Sequence, residues 1–444
     1  MKNLVPLIPA ICLLLPFTGC GGSGTATTVP PITPSSIAIQ LSSSTLTISQ
    51  GSSGSATVAV TRTGTTGNVT LSLTGLPGGA TVAFQNPTAG NSGQVTITTT
   101  TAALAGTYPL TMQATDGTYS ASASLSLVIS AALQISTSYS WTSTGPLISA
   151  KSDATHDIIA VKDPSAVLYN GRWVIYASTV NSAGDYGMEY LNVAEDWSDA
   201  ATATPYFLDY LPGTAPQVFY FAPQNKWYLI YQWTPQFSTN SDPTQPQDWT
   251  APTNFFASQP SSVSAWIDFW VICDSENCYL FFCGDNGNFY RASTPIGDFP
   301  NGFNTPVIVD SSSQFDMFEA DNVYSVEGTG QYLANIECLG PNGQRYFRAL
   351  WASSLGGTWS SLGNTNDFSI PFLGEDNVTF NGGVNAWTTS FSSGGLLIDG
   401  NDQTDSVNPN NLQFLYQGAD PSAYSNDSYG MIPWQLGLAT ATSN

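Results

Sequence analysis

Histidine and basic residues are what this 444-residue chain has least of. One histidine, His156, stands beside 31 Asp and Glu, and Lys and Arg together number 9, for a formal charge of −22. A single imidazole nearly excludes metal sites built on several His ligands and leaves a Ser-His-Asp triad one residue to rest on. A field of this sign repels phosphate backbones and anionic headgroups, which argues against nucleic acid as a partner. A neutral polysaccharide is indifferent to it. No nucleophile elbow and no P-loop occur, so serine-type hydrolysis and phosphoryl transfer lack their usual signatures. Carboxylates are left as the carriers of acid–base chemistry.

Long apolar runs are scarce too, and the one that stands out is Leu4 to Phe17. With Lys2 ahead of it and Thr18-Gly19-Cys20 behind, residues 1–20 read as a signal peptide whose apolar stretch is too short to span a bilayer. A Cys straight after Thr-Gly resembles the bacterial lipobox, although Phe17 stands where Leu is usual. The resemblance implies a lipid on Cys20 and a protein anchored at the cell surface or otherwise extracellular. Of six cysteines, Cys12 leaves with the leader, and Cys273, Cys278, Cys283 and Cys338 remain for an oxidising compartment. Cys273 and Cys278 bracket the turn-rich Asp-Ser-Glu-Asn and suit a small disulfide. A zinc site from the same four lacks the paired knuckle spacing.

What the chain has in plenty is Gly, Ser, Thr and aromatics, the composition of a secreted all-β protein, and its length calls for two domains. Residues 21–35 read as a flexible linker. Over 36–131, short alternating strands such as Ala56-Thr-Val-Ala-Val-Thr and Gln94-Val-Thr-Ile-Thr are set off by Gly and Pro turns. They predict a small β-sandwich that resembles immunoglobulin-like modules and serves as a spacer. From 135 to 440, Trp, Tyr and Phe become dense and a unit recurs. Most copies open on a polar residue, run through an apolar strand, turn, and return as an aromatic strand. The starts fall at 163, 216, 268, 319 and 377, in steps of 53, 52, 51 and 58. Five units of blade length predict a five-bladed β-propeller; the rungs of a β-helix are far shorter.

Three of the five starts carry an acid: Asp163, Asp268 and Glu319. Singly, each reads as a turn residue. In register around a propeller axis they converge on one cavity, where crowding pushes their pKa values apart. Glycoside hydrolysis needs that division, one protonated acid and one ionised base or nucleophile.

Several segments are similar to glycoside hydrolase family 62, in family order from about Tyr139 to Thr440. They are Thr155-His-Asp-Ile-Ile-Ala-Val-Lys-Asp-Pro-Ser, Trp266-Ile-Asp-Phe-Trp-Val-Ile-Cys, Phe318-Glu-Ala-Asp-Asn-Val-Tyr, Arg345-Tyr-Phe-Arg, Leu355-Gly-Gly-Thr-Trp and Leu412-Gln-Phe-Leu-Tyr-Gln-Gly. The resemblance implies an inverting α-L-arabinofuranosidase acting on arabinoxylan. It casts Asp163 as general base, Glu319 as general acid, and Asp268 as the charge that keeps Glu319 protonated and oriented. Lys162 and Arg345 would hold sugar hydroxyls, Trp233 would pack on the sugar chain, and Asn401 would make a polar substrate contact. No cofactor is required and no metal ligands are assigned. The family's Phe-Ser-His-Gly segment near an axial calcium reads Phe391-Ser-Ser-Gly here, so the imidazole is missing and calcium would depend on oxygen ligands and water. The chain is expected to act as a monomer. An arabinanase or β-xylosidase of similar layout, a non-catalytic carbohydrate-binding lipoprotein and an adhesin are the competing readings. His156 is expected to be a hydrogen-bonded structural residue.

Overall fold

The computed structural model describes residues 35–130, 134–380 and 384–443. The leader, Cys20 and nearly all of the linker lie outside these residues. Two compact units divide the chain near Ser130. Both are built of strands, and the six-residue Pro421–Asn426 is the sole α-helix among the described residues.

The smaller unit holds two four-stranded sheets. One orders Ser36–Leu41, Ser53–Thr63, Ser92–Thr99 and Ala80–Gln85; the other orders Thr45–Ser49, Ser120–Ser130, Gly106–Thr115 and Thr70–Thr74. Alternate residues point inward, as the period of a strand dictates. Val58 and Val60, Val95 and Ile97, Leu110 and Met112, and Leu125 and Leu127 form its core.

The larger unit places five sheets of four or five strands in succession, in addition to a two-stranded ribbon of Asn366–Asp367 and Ile370–Pro371. The first three open on Ile158–Tyr169, Thr214–Phe221 and Ile267–Cys273, and each adds three strands in chain order. The fourth carries Glu319–Val326, Gln331–Leu339 and Arg345–Ala352 at its centre. The fifth orders Val378–Phe380, Tyr139–Ser143, Gln435–Ser443, Gln413–Gly418 and Ser392–Leu396, so the unit's first and last strands pair. Each opening strand packs beside the next, and Ser392–Leu396 packs against both Glu319–Val326 and Ile158–Tyr169. These strands are largely buried on both faces, and beyond their polar starts some read as short apolar runs, as over 218–221 and 269–273. The hairpin after Cys273 is closed by the Cys273–Cys278 disulfide, while Cys283 and Cys338 are buried thiols.

The fifth repeat differs from the sequence reading. Asn377-Val-Thr-Phe forms an edge strand beside Tyr139–Ser143, and the strand equivalent to the other starts is Ser392–Leu396. Because this sheet draws strands from both ends of the unit, its repeat is out of chain order and the spacing cannot reveal it. Gly394 marks the right segment. A Cβ there would lie 2.1 Å from the Leu415 carbonyl oxygen, so only glycine lets the two strands pair.

All five opening strands carry a register break near their start, at Lys162/Ser165, Thr214/Gln217, Ile267/Trp270, Glu319/Asn322 and Ser392/Gly394. In the first four, one residue takes a positive φ: Asp163 (46°), Ala215 (48°), Asp268 (54°) and Ala320 (52°). For alanine such a conformation costs about 1–3 kcal/mol, and it persists where the surroundings over-determine it. Here each bulge N–H is held by a side chain. Asp163 N donates to Gln417 Oε1 (2.9 Å), Ala215 N to Ser178 Oγ (2.7 Å), Asp268 N to Gln232 Oε1 (2.7 Å) and Ala320 N to Asp268 Oδ2 (3.0 Å). The bulge turns successive side chains of these strands toward one end of the stack. Asp163 and Asp268 hold the equivalent place. Glu319 sits one residue earlier and matches Lys162, which corrects the assumed register of the three acids.

Glu189, on Tyr186–Ala194, is buried at 2% exposure with Oε2 unpaired. Burial pushes its carboxyl up to about 8, with Lys151 opposing. The folded state therefore keeps a proton that the unfolded chain gives up near its ordinary value of 4.5, and stability falls as pH rises from about 4.5 to 8. Glu189→Gln should flatten that dependence and gain a few kcal/mol (order of magnitude) at pH 8 relative to wild type. Denaturant unfolding at pH 5 and pH 8 checks it.

Candidate active site

The bulged ends of the opening strands surround a pocket of about 380 Å³, within the range of small-molecule clefts. Lys162, Asp163, Asp268, Glu319, Arg345 and Trp233 all line it, so six of the seven residues singled out in the sequence meet there. Asn401 does not. Its backbone oxygen accepts from Tyr220 N (2.7 Å) and its amide donates to Leu168 O (3.4 Å), at the far ends of the first two opening strands. The turn that carries it runs beside those ends, away from the bulges, and this removes it from the polar contacts of the pocket.

Charge is arranged in two groups. On one side, Lys162 Nζ lies 3.9 Å from Asp163 Oδ1, donates to the Tyr429 hydroxyl (3.3 Å) and sits over the Tyr186 and Tyr429 rings at 5.2 and 4.7 Å. Burial pulls the Lys162 ammonium down, but Asp163, the two tyrosines and Glu319 outweigh it and raise its pKa, so it stays charged. On the other side, Arg345 Nη1 bonds both Glu319 and Glu337, the latter at 2.5 Å, and its guanidinium lies 4.9 Å from the Phe318 ring. Asp268 sits with these. Burial, then the charges of Glu319 and Asp163, drive its carboxyl well above the usual range against the Ala320 N–H that it accepts.

Three pocket residues escaped the sequence reading: Tyr186, Tyr429 and Asp285. Asp285 takes φ 52° in the turn after Asn277–Cys283, leaves Oδ1 buried without a partner, and is pushed up to about 6 by burial and by Glu319. Gln232, the neighbour of Trp233, fixes the Asp268 bulge. Glu337 had the clearest signal, a lone charge inside the apolar Gln331–Leu339. Trp233 is 59% exposed at the rim, edge-on to Tyr186. His156 lies outside the pocket, its ring against Phe207 at 4.1 Å and its nitrogens facing Asp153 and Asp209.

Among the described residues no three His, Cys, Asp or Glu converge to hold an ion. Ser393, at the position of the missing histidine, turns its N–H to Glu337 Oε2 (2.6 Å).

Carboxylates in unlike surroundings at the mouth of an all-β stack define a glycosidase type of site. The family model for glycosyl hydrolase family 62 matches residues 140–440, and the chain belongs to that family. It is 38% identical over 304 residues to alpha-L-arabinofuranosidase C of Cellvibrio japonicus, a match covering 67% of this chain and 46% of that protein; the chain thus spans about half the length of this curated relative. Among solved structures it is similar to the catalytic domain of a Coprinopsis cinerea family 62 α-L-arabinofuranosidase (44% identity, TM-score 0.65, 69% of this chain and 98% of that one). It is also similar to a Podospora anserina α-L-arabinofuranosidase in complex with cellotriose (42% identity, TM-score 0.65, with the same coverage).

Removing the Arg345 guanidinium would leave Glu319 and Glu337 buried without a counter-charge. Arg345→Met should cost about 3–5 kcal/mol, the usual price of breaking a buried pair. Urea unfolding at pH 8 measures it.

Proposed function

We propose that the protein is an α-L-arabinofuranosidase that removes arabinofuranosyl side chains from arabinoxylan with inversion. The observation that carries this is the separation of roles in the pocket of a family 62 chain. Asp163 faces an ammonium on one side, while Glu319 shares the other with Asp268, whose raised pKa marks a region short of water. In this reading Asp163 takes a proton from water as the water oxygen bonds the anomeric carbon. Glu319 gives its proton to the departing xylan oxygen as the glycosidic bond breaks. Asp268 and Glu319 repel when both are charged, so the pair resists losing both protons, and the Asp268 Oδ2 holds the Ala320 bulge, which aims Glu319. Lys162 and Arg345 offer donors to sugar hydroxyls, and the exposed Trp233 gives a xylan chain a flat face at the rim.

We also propose that the five sheets are the blades of a β-propeller, with the opening strands around its axis, and that the catalytic domain spans 135–440. The 36–131 sandwich is read as an immunoglobulin-like spacer, the first 20 residues as a lipoprotein leader, and Cys20 as the anchor of a secreted monomer. Two four-stranded sheets with inward alternation support the spacer reading, and the lipobox-like Thr-Gly-Cys supports the anchor.

Incubation with wheat arabinoxylan should release arabinose while the xylan backbone stays intact, and proton NMR should show the β-anomer first. Xylose release, or retention of configuration, would refute the assignment. Glu319→Ala should lower turnover by about 10²–10⁴-fold, the size of a general-acid contribution, while substrate binding persists. Trp233→Ala should leave stability within about 0.5 kcal/mol of wild type, as for an exposed position, and raise KM for the polymer more than for an aryl arabinofuranoside.

A further inference from the structure

A general acid must hold a proton, yet Glu319 is bonded to Arg345, and a guanidinium favours the carboxylate. The structure contains a second carboxyl on the same nitrogen. Glu337, fully buried on Gln331–Leu339, meets Arg345 Nη1 at 2.5 Å through Oε1. Ser392 Oγ donates to Oε1 at 2.8 Å, and Ser393 N donates to Oε2 at 2.6 Å. These contacts come from two elements, Arg345–Ala352 and Ser392–Leu396, and fix both oxygens. The other titratable or charged groups facing this cluster are Glu319 on the fourth opening strand, Tyr424 on the short helix, Tyr429, whose ring lies 4.9 Å from the Arg345 guanidinium, and, on the Glu319 side, Asp268, Asp285 and Lys162.

We infer that Glu337 is a positioning residue that holds Arg345 and offsets its charge, so that Glu319 keeps its proton until the glycosidic oxygen takes it. This rests on the arabinofuranosidase reading and names what tunes that site. One guanidinium shared by two carboxyls exerts less pull on either. As Glu319 gives up its proton, Arg345 is already in place to stabilise the carboxylate that forms, while Glu337 limits that pull beforehand. Burial raises Glu337 to about 7, with Arg345 opposing, so its charge develops in the range where the acid must stay protonated.

The test is the pH dependence of kcat/KM on arabinoxylan for wild type and Glu337→Gln. Gln keeps the shape and the contact to Arg345 but removes the offsetting charge. Glu319 should then ionise earlier, moving the alkaline limb down by about 1 to 3 pH units, the effect of one nearby opposite charge. Above the limb, each unit is a tenfold loss. With 4-nitrophenyl arabinofuranoside, whose leaving group needs little protonation, the loss should be much smaller. A limb that overlays wild type, or equal losses on both substrates, overturns the role, since a merely structural defect would do that. If Glu337→Gln fails to fold by thermal melting, Ser392→Ala decides. Loss of its hydrogen bond makes Glu337 harder to ionise and should shift the limb the same way by less, and an overlay there overturns the role. Wild type that releases no arabinose would refute the activity, and this inference with it; active wild type with an unmoved limb refutes the role of Glu337 alone.

Discussion

Burial of several like charges around one opening is the constraint on which this structure turns. The pocket and the shell behind it hold Asp163, Asp268, Asp285, Glu319 and Glu337, with two cations, Lys162 and Arg345, among them. A chain with 9 basic residues has placed two where the acids crowd. Their positions break the symmetry. Lys162 sits beside Asp163, and Arg345 is divided between Glu319 and Glu337, so acids of similar chemistry face different fields. In the proposed reaction, proton transfer in two directions would follow from that asymmetry more than from any single side chain.

The bulges are the means by which the backbone serves this arrangement. A regular strand would send Lys162 and Asp163, or Glu319 and Ala320, to opposite faces of a sheet. An extra residue with positive φ lets neighbouring positions turn toward the same opening, and the amides it frees are taken by Gln417, Ser178, Gln232 and Asp268. Asp268 is thus tied to Glu319 twice, through the electrostatic coupling of the two carboxyls and as the acceptor that holds the bulge carrying Glu319.

Much of this was legible from the chain alone. Alternation and turn residues marked the small unit, and four of five repeat starts fell within a residue of the bulges. The acids stood out because charges are rare here. The fifth start was missed since that sheet is assembled from both ends of the unit, and spacing along the chain carries no trace of a pairing 300 residues apart. Asn401 was misplaced because polar turns look alike in sequence whichever end of a strand they adjoin. Tyr186 at the start of Tyr186–Ala194, Tyr429 in the 3-10 turn Tyr429–Met431 and Asp285 in a hairpin turn reach the pocket from places with no periodic pattern of their own, and their selection depends on tertiary geometry. Glu337 was visible as a charge in an apolar strand, but only its contacts reveal what it balances.

The pairing of Tyr139–Ser143 with Gln435–Ser443 has a consequence for biosynthesis. Trp141, nearly the first aromatic of its unit to leave the ribosome, packs against Phe372 and Phe414 and is sealed by Gln435–Ser443, the last described strand of that unit. During translation the nascent chain therefore carries an open sheet edge and a waiting indole until Gln435–Ser443 appears, the interval in which strand edges are most prone to pair wrongly.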